Sequence, residues 1–196
     1  DGKPLGDFLK TEKWSHDEAR VIGQALWDFY SYQIHQLKTV HADPHPGNFI
    51  ITPDRKLGII DFGCVKVIPP AFYKSYFQLL DGSLLKDESR MEKVFYEMRF
   101  VYPDDSTADK VFFTSVFKQL VELLSQPFQA PSFNFAEKGY FEKLYQFGEQ
   151  VSTMKEFRNS KRARGVKDAL YINRTYYGIF NILHDLKAEI RTERSW

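Results

Sequence analysis

The sequence predicts an α+β fold that is mainly α, with one β-hairpin and its functional loops set among about six helices. Three observations lead there. Apolar residues recur at helical spacing over most of the chain, two short apolar runs flank a single turn near residue 54, and prolines punctuate the second half at helix-length intervals. With 196 residues, 43% of them hydrophobic, 18 Phe and 11 Tyr, the chain is long enough to bury a real core, and one globular unit over 1–196 is expected.

Taken in order, residues 1–14 (DGKPLGDFLKTEKW) read as a loop followed by a short helical turn. Ser15, with Glu18 three residues on, forms a capping box, and Val21, Ile22, Ala25, Leu26, Phe29, Ile34 and Leu37 recur at helical spacing, which predicts a helix over 16–38. That helix delivers the chain into HADPHPGN, residues 41–48. Pro blocks helix interiors and Gly weakens helices and strands alike, so this stretch is a loop held in one shape. Phe49-Ile50-Ile51-Thr52 and Leu57-Gly58-Ile59-Ile60 read as strands joined by the turn Pro53-Asp54-Arg55-Lys56, and Asp61-Phe62-Gly63 follows directly. After Pro69-Pro70 the pattern predicts helices over 71–85, 88–100, 106–125, 134–157 and 165–191, with Pro103, Pro127 and Pro131 at the breaks.

Composition removes several function classes. Lys plus Arg number 27 against 26 for Asp plus Glu, a net charge of +1 that gives no argument for nucleic acid as a partner. The single cysteine, Cys64, cannot form an internal disulfide and reads as a small packed apolar side chain. No run approaches the roughly 18 apolar residues of a membrane span, and no charged-then-apolar signal pattern opens the chain, so a soluble, cytoplasmic protein is expected, with membrane association left to the full-length protein. The chain opens with Asp rather than Met, which reads as a processed, excised or incomplete sequence.

The chemistry concentrates in three side chains. Asp43 precedes Asn48 by five residues, and Asp61 comes thirteen residues after that, directly before Phe62-Gly63. Phosphoryl transfer from ATP needs Mg²⁺ to neutralise phosphate charge and an acidic group to orient or deprotonate the acceptor. Asn48 and Asp61 offer the hard oxygen donors that Mg²⁺ prefers, and Asp43 stands where an acceptor-side base would. Gly63 is expected to supply the backbone freedom that turns Asp61 inward. A zinc site built on His41 and His45 lacks an evident third ligand.

This arrangement resembles the protein-kinase catalytic loop H-R-D-x-x-x-x-N followed by D-F-G, here His41-Ala42-Asp43, Asn48 and Asp61-Phe62-Gly63. The full string HADPHPGN, with the apolar hairpin and L-G-I-I-D-F-G after it, resembles the UbiB family of atypical kinases and ATPases of coenzyme Q and isoprenoid-lipid metabolism. The resemblance covers residues 1 to about 100, where Asp1-Gly2 is similar to the segment after the interlobe hinge. It implies the C-terminal lobe of a protein-kinase-like fold, with 1–100 the catalytic core of the lobe and 101–196 a helical remainder. It further implies ATP and Mg²⁺ as cofactors, Asp43 as the catalytic aspartate, Asn48 and Asp61 as metal ligands, and His41 and Gly63 as supports of the nucleotide-holding loops. His45 stands where many protein kinases carry a phosphate-contacting Lys, which implies contact with the transferred phosphate.

The departures carry information too. Ala42 replaces the Arg that reads a phosphorylated activation loop, and no A-P-E follows Asp61-Phe62-Gly63, so a lipid or small-molecule acceptor, or plain ATP hydrolysis, gains over a protein substrate. Nothing before residue 15 supplies a phosphate-covering loop, a strand lysine or its glutamate partner, so an N-lobe of the same polypeptide is the expected partner and the isolated chain is expected to be inactive. The face such a lobe would cover predicts dimers or aggregation of the chain alone. Two other readings stay open: a small-molecule phosphotransferase of the aminoglycoside or choline kinase type, and a non-catalytic pseudokinase-like binding module. Phe112, Phe113, Phe117, Phe128, Phe133, Phe135, Phe141 and Phe147 read first as core packing and second as a lipid-tail pocket. Arg158, Lys161, Arg162, Arg164 and Lys167 read first as a solvated connection and second as a lipid-headgroup patch.

Overall fold

The computed structural model describes residues 2–11 and 13–193. In chain order the elements are β1 (Lys3–Pro4), α1 (Leu5–Thr11), α2 (His16–Tyr32), β2 (Thr39–His41), β3 (Phe49–Ile51), β4 (Leu57–Ile59), β5 (Val65–Val67), α3 (Pro70–Tyr76), α4 (Glu88–Glu97), α5 (Thr107–Ser125), β6 (Ser132–Asn134), α6 (Lys138–Thr153), α7 (Lys155–Asn159), α8 (Lys167–Asp185) and β7 (Glu189–Arg191). Mainly helical with small antiparallel sheets, the structure has the predicted class of a kinase-like C-lobe. The chain folds as two compact units: one from the stretch up to Pro69, Pro131–Glu137 and the stretch from Leu170, the other from Pro70–Ala130 and Lys138–Ala169.

The first unit holds the sequence motifs. Helix α2 starts at the capping box, with Glu18 N–H donating to Ser15 Oγ at 3.2 Å and Ser15 N–H donating to Glu18 Oε2 at 2.8 Å. The backbone N–H of Ser15 holds the Glu18 carboxyl below the usual carboxylate range. Its other oxygen, Oε1, accepts from Arg55 Nε at 2.6 Å, and the Arg55 guanidinium lies 5.2 Å from the Phe8 ring centroid. One glutamate thus caps a helix and ties the hairpin turn to it. Strands β3 and β4 pair antiparallel as predicted, Phe49 opposite Ile59 and Ile51 opposite Leu57, and β1 adds to the outer side of β3.

The expected helix over 16–38 is α-helical only to Tyr32 and closes with a π-turn over Gln33–Leu37. Lys38 ends it in the left-handed region (φ 51°), its N–H donating to Gln33 O. The wider turn serves the next element, because Gln33 Oε1 accepts from His41 N–H at 2.7 Å. Strands β2 and β5 were not expected; three-residue strands with a partner 26 residues away leave too little period-2 pattern to read. The predicted helix over 165–191 stops at Asp185, because Lys187 turns left-handed (φ 54°) and Ile190 then pairs with Phe133 in the β6–β7 ladder.

The second unit is all helix and turn. The expected helix over 71–85 is α-helical only over Pro70–Tyr76, the chain continuing through tight turns to a single 3₁₀ turn at Leu84–Lys86. The helix over 134–157 divides into α6 and α7, whereas α4 and α5 fall within a few residues of expectation. Asp87 and Ser106, whose side chains accept from Arg90 N–H and Asp109 N–H, cap α4 and α5.

Of the phenylalanine cluster, Phe113, Phe117, Phe128, Phe135 and Phe147 are buried in the cores of the two units, whereas Phe112, Phe133 and Phe141 are half-buried. Phe100 and Phe117 stack at 3.9 Å with Phe113 and Phe157 against them in one, while Phe133, Phe135, Phe180 and Trp27 interlock in the other. Within the basic stretch, Arg162 pairs with Asp104 and Arg164 with Asp105. Two of its five charges are therefore internally neutralised. Among the described residues no helix is long and apolar enough to cross a membrane.

Candidate functional site

Two backbone staples fix the loop 41–48. His41 closes β2 opposite Val65, and Ala42 N–H donates to Cys64 O at 2.8 Å. At the other end Ile60 N–H donates to Asn48 O at 3.1 Å. Asp61-Phe62-Gly63 lies between Ile60 and Cys64, so both of its feet are bonded to the two ends of the loop carrying Asp43 and Asn48. The three residues singled out from spacing are thereby held along one edge of the unit.

Hydrogen bonds inside the loop decide which atoms each side chain can offer. The Asp43 carbonyl accepts twice, from His45 N–H at 2.8 Å and from Asn48 Nδ2 at 2.8 Å, and Asn48 N–H donates to His45 O at 2.9 Å. With Nδ2 committed to Asp43, the amide oxygen Oδ1 is what Asn48 has left for a cation. Asp61 Oδ1 accepts from Gly63 N–H at 2.7 Å, which leaves Oδ2 as its second oxygen. An amide oxygen and a carboxylate form a hard donor pair suited to Mg²⁺ completed by phosphate oxygens and water. Among the described residues no three His, Cys, Asp or Glu side chains gather into a metal-binding group.

The remaining residues named from the sequence occupy distinct positions. His41 is buried, its Nδ1 within 3.0 Å of the Tyr30 hydroxyl and its ring 6.0 Å from that of Phe62. Burial, with the charge of Asp43 adding to it, pushes the Tyr30 phenol well above its ordinary range, so it stays protonated beside His41. His45 is exposed, but its Nδ1 accepts from Gly47 N–H at 3.1 Å and turns the ring onto its own loop. Gly63 is outside the left-handed region, so the expected backbone freedom is not what it provides. A Cβ there would stand 3.1 Å from Asp61 Oδ1, and the glycine serves close approach instead. Cys64, expected to be packed, is exposed, because it precedes a strand whose Val65 and Val67 also face out. Asp1 lies outside the described residues.

Helix α8 is the part that spacing did not reveal. Arg174 Nη2 donates to Asp43 Oδ1 at 2.7 Å across 131 residues of sequence. One turn on, Gly178 abuts the loop, where a Cβ would meet Pro44 Cγ at 2.5 Å and Pro44 O at 2.8 Å. One turn before, Tyr171 takes the Lys66 ammonium 5.0 Å from its ring centroid. A glycine inside a helical pattern was the available signal, since it often marks a close backbone approach. Gly178→Ala is expected to destabilise the chain by about 1–3 kcal/mol, because the obstructing Pro44 carbonyl is backbone and cannot rotate away. Thermal melting of the variant checks this.

A hairpin framed by a D-x-x-x-x-N loop and an Asp-Phe-Gly turn, set among helices, defines the C-lobe of a kinase-like fold. Residues 1–95 match the ABC1 atypical kinase-like domain, so that stretch is similar to atypical kinases of the ABC1, or UbiB, type. It is 36% identical over 64 residues to the Protein ACTIVITY OF BC1 COMPLEX KINASE 3, chloroplastic, of Arabidopsis thaliana, an alignment spanning 33% of this chain and 9% of that protein. It is 31% identical over 64 residues, with the same shares, to the uncharacterised protein sll0005 of Synechocystis. The solved structure of Rv3197 in complex with erythromycin, from Mycobacterium tuberculosis, superposes with a TM-score of 0.68 at 19% identity, covering 97% of this chain and 45% of that one. That likeness extends the fold, though not the activity, through α8.

Proposed function

We propose that this chain supplies the magnesium- and phosphate-handling half of an ABC1/UbiB-type kinase or ATPase that uses Mg-ATP and acts in or beside isoprenoid quinone metabolism. The observation carrying the reading is the pair of staples, Ala42 to Cys64 and Asn48 to Ile60, which holds the Asp-Phe-Gly turn along the loop of Asp43 and Asn48. Asn48 Oδ1 and Asp61 would hold Mg²⁺, and Asp43 would orient the acceptor hydroxyl or water and receive its proton. When bound, Mg²⁺ supplies charge neutralisation of the phosphates. His41 and Gly63 act through shape, one anchoring the loop in the core and the other letting its N–H reach Asp61.

The chain covers 45% of the length of its structural neighbour, and Ile60, Phe62, Val65 and Val67 around the site are more than half exposed. Both facts support an upstream lobe of the same polypeptide closing over this edge and completing the nucleotide site. Calorimetric titration of the complete gene product tests the proposal. Mg-ATP should bind, and chelating the Mg²⁺ should abolish binding; no magnesium-dependent binding would refute it.

A further inference from the structure

We infer that Arg174, not His45, is the cation that contacts the transferred phosphoryl group. The inference rests on the Mg-ATP reading above and adds a residue to it from beyond the 1–95 match. His45 sits two residues after Asp43, but its Nδ1 accepts from Gly47 N–H, which turns the ring onto its own loop and away from a role as the phosphate cation. The positive charge actually at Asp43 is the Arg174 guanidinium, 2.7 Å from Oδ1. A guanidinium has five N–H donors in a planar fork, and a single carboxylate oxygen uses one of them. It can therefore hold Asp43 and a phosphate oxygen together.

The surroundings favour a ligand-facing role over a structural one. Arg174 is 68% exposed and Asp43 40% exposed, a setting in which an ion pair stabilises a fold very little. The backbone beneath Arg174 is nevertheless firmly placed. Gly178 lets α8 touch Pro44, and Tyr171 holds Lys66, so the arginine projects from between two anchors on one helix face. A well-placed helix backbone under an accessible guanidinium suits contact with a phosphoryl group whose equatorial oxygens carry the charge.

Arg174→Met and Arg174→Lys in the complete gene product test this, with Mg-ATP and Mg-ADP affinities measured calorimetrically beside ATP turnover. Loss of a charge-assisted contact to the terminal phosphate should weaken Mg-ATP about tenfold in Arg174→Met while Mg-ADP changes by less than about twofold. Arg174→Lys should recover part of the loss, and melting curves should match wild type because the side chain is exposed. Equal weakening of both nucleotides, unchanged affinity, or a rise in turnover marking the pair as an inhibitory clamp would each overturn the inference. Nucleotide binding that Asp61→Asn abolishes but Arg174→Met leaves intact would remove Arg174 while sparing the Mg-ATP reading. Absence of binding by wild type would remove both.

Discussion

Asp61→Asn in the complete gene product is expected to lower magnesium-dependent ATP turnover by about 10²–10³-fold without unfolding the protein. The substitution isolates charge from shape. Asp61 is exposed and its Oδ1 accepts from Gly63 N–H at 2.7 Å, a bond that the amide oxygen of Asn can retain. What disappears is the negative charge that would face a bound divalent cation, and a neutral amide is a much weaker magnesium ligand. Steady-state kinetics over a range of Mg²⁺ concentrations, beside a melting curve, gives the answer. Unchanged turnover would remove Asp61 from the site and with it the reading of the Asp-Phe-Gly turn.

Asp105→Ala should produce the largest loss of stability, about 3–5 kcal/mol, because it strands a buried arginine. Arg164 and Asp105 are only 6% and 8% exposed, and the guanidinium donates to both carboxylate oxygens, Nη1 to Oδ2 at 2.5 Å and Nη2 to Oδ1 at 2.9 Å. It also lies 3.8 Å from the Phe113 ring centroid, and Oδ2 accepts in addition from Tyr102 N–H at 2.7 Å. Replacing both partners, Asp105→Leu with Arg164→Met, should cost less than the single change, since no charge is then left buried. The neighbouring pair Arg162–Asp104 has similar chemistry but is 49% and 63% exposed, and Asp104→Asn should barely move the melting temperature.

The pH dependence follows from the same pair. The Arg164 hydrogen bonds hold the Asp105 carboxyl below its ordinary value. Its contribution is complete above the unfolded value of about 4 and is lost as pH falls through the lower folded value. Acid unfolding followed from pH 6 downward should thus be less steep in Asp105→Asn than in wild type. Equal steepness would show that the pair does not carry the acid sensitivity.

Legibility varied with the range of the interaction. The capping box of Ser15 and Glu18, the Phe49–Ile51 and Leu57–Ile59 hairpin and helix α5 were read within a few residues of their bounds, each depending on neighbours a few positions away. Failures came where a distant partner outweighed the local pattern. Residues 186–191 continue a helical period, yet Ile190 pairs with Phe133 and closes a ladder that no local signal announces. Residues 77–83 keep apolar spacing but form turns, with Gln129 Nε2 donating to the Leu80 carbonyl.

For the site, side-chain chemistry was legible and its electrostatic setting was not. HADPHPGN and Asp-Phe-Gly are recognisable because a loop rigid enough to aim a carboxylate must be built from prolines, glycines and short polar residues that regular elements exclude. The sequence by itself therefore determined the class of fold and the hairpin, and it singled out Asp43, Asn48 and Asp61 as candidates. Tertiary structure alone decided which of their atoms are free, that His45 is turned back onto its loop, and that Arg174 arrives from 131 residues away. The reason is physical: hydrogen-bond commitments and ion pairs depend on separation in space, and a helix brought against the loop by one glycine leaves almost no trace in spacing along the chain.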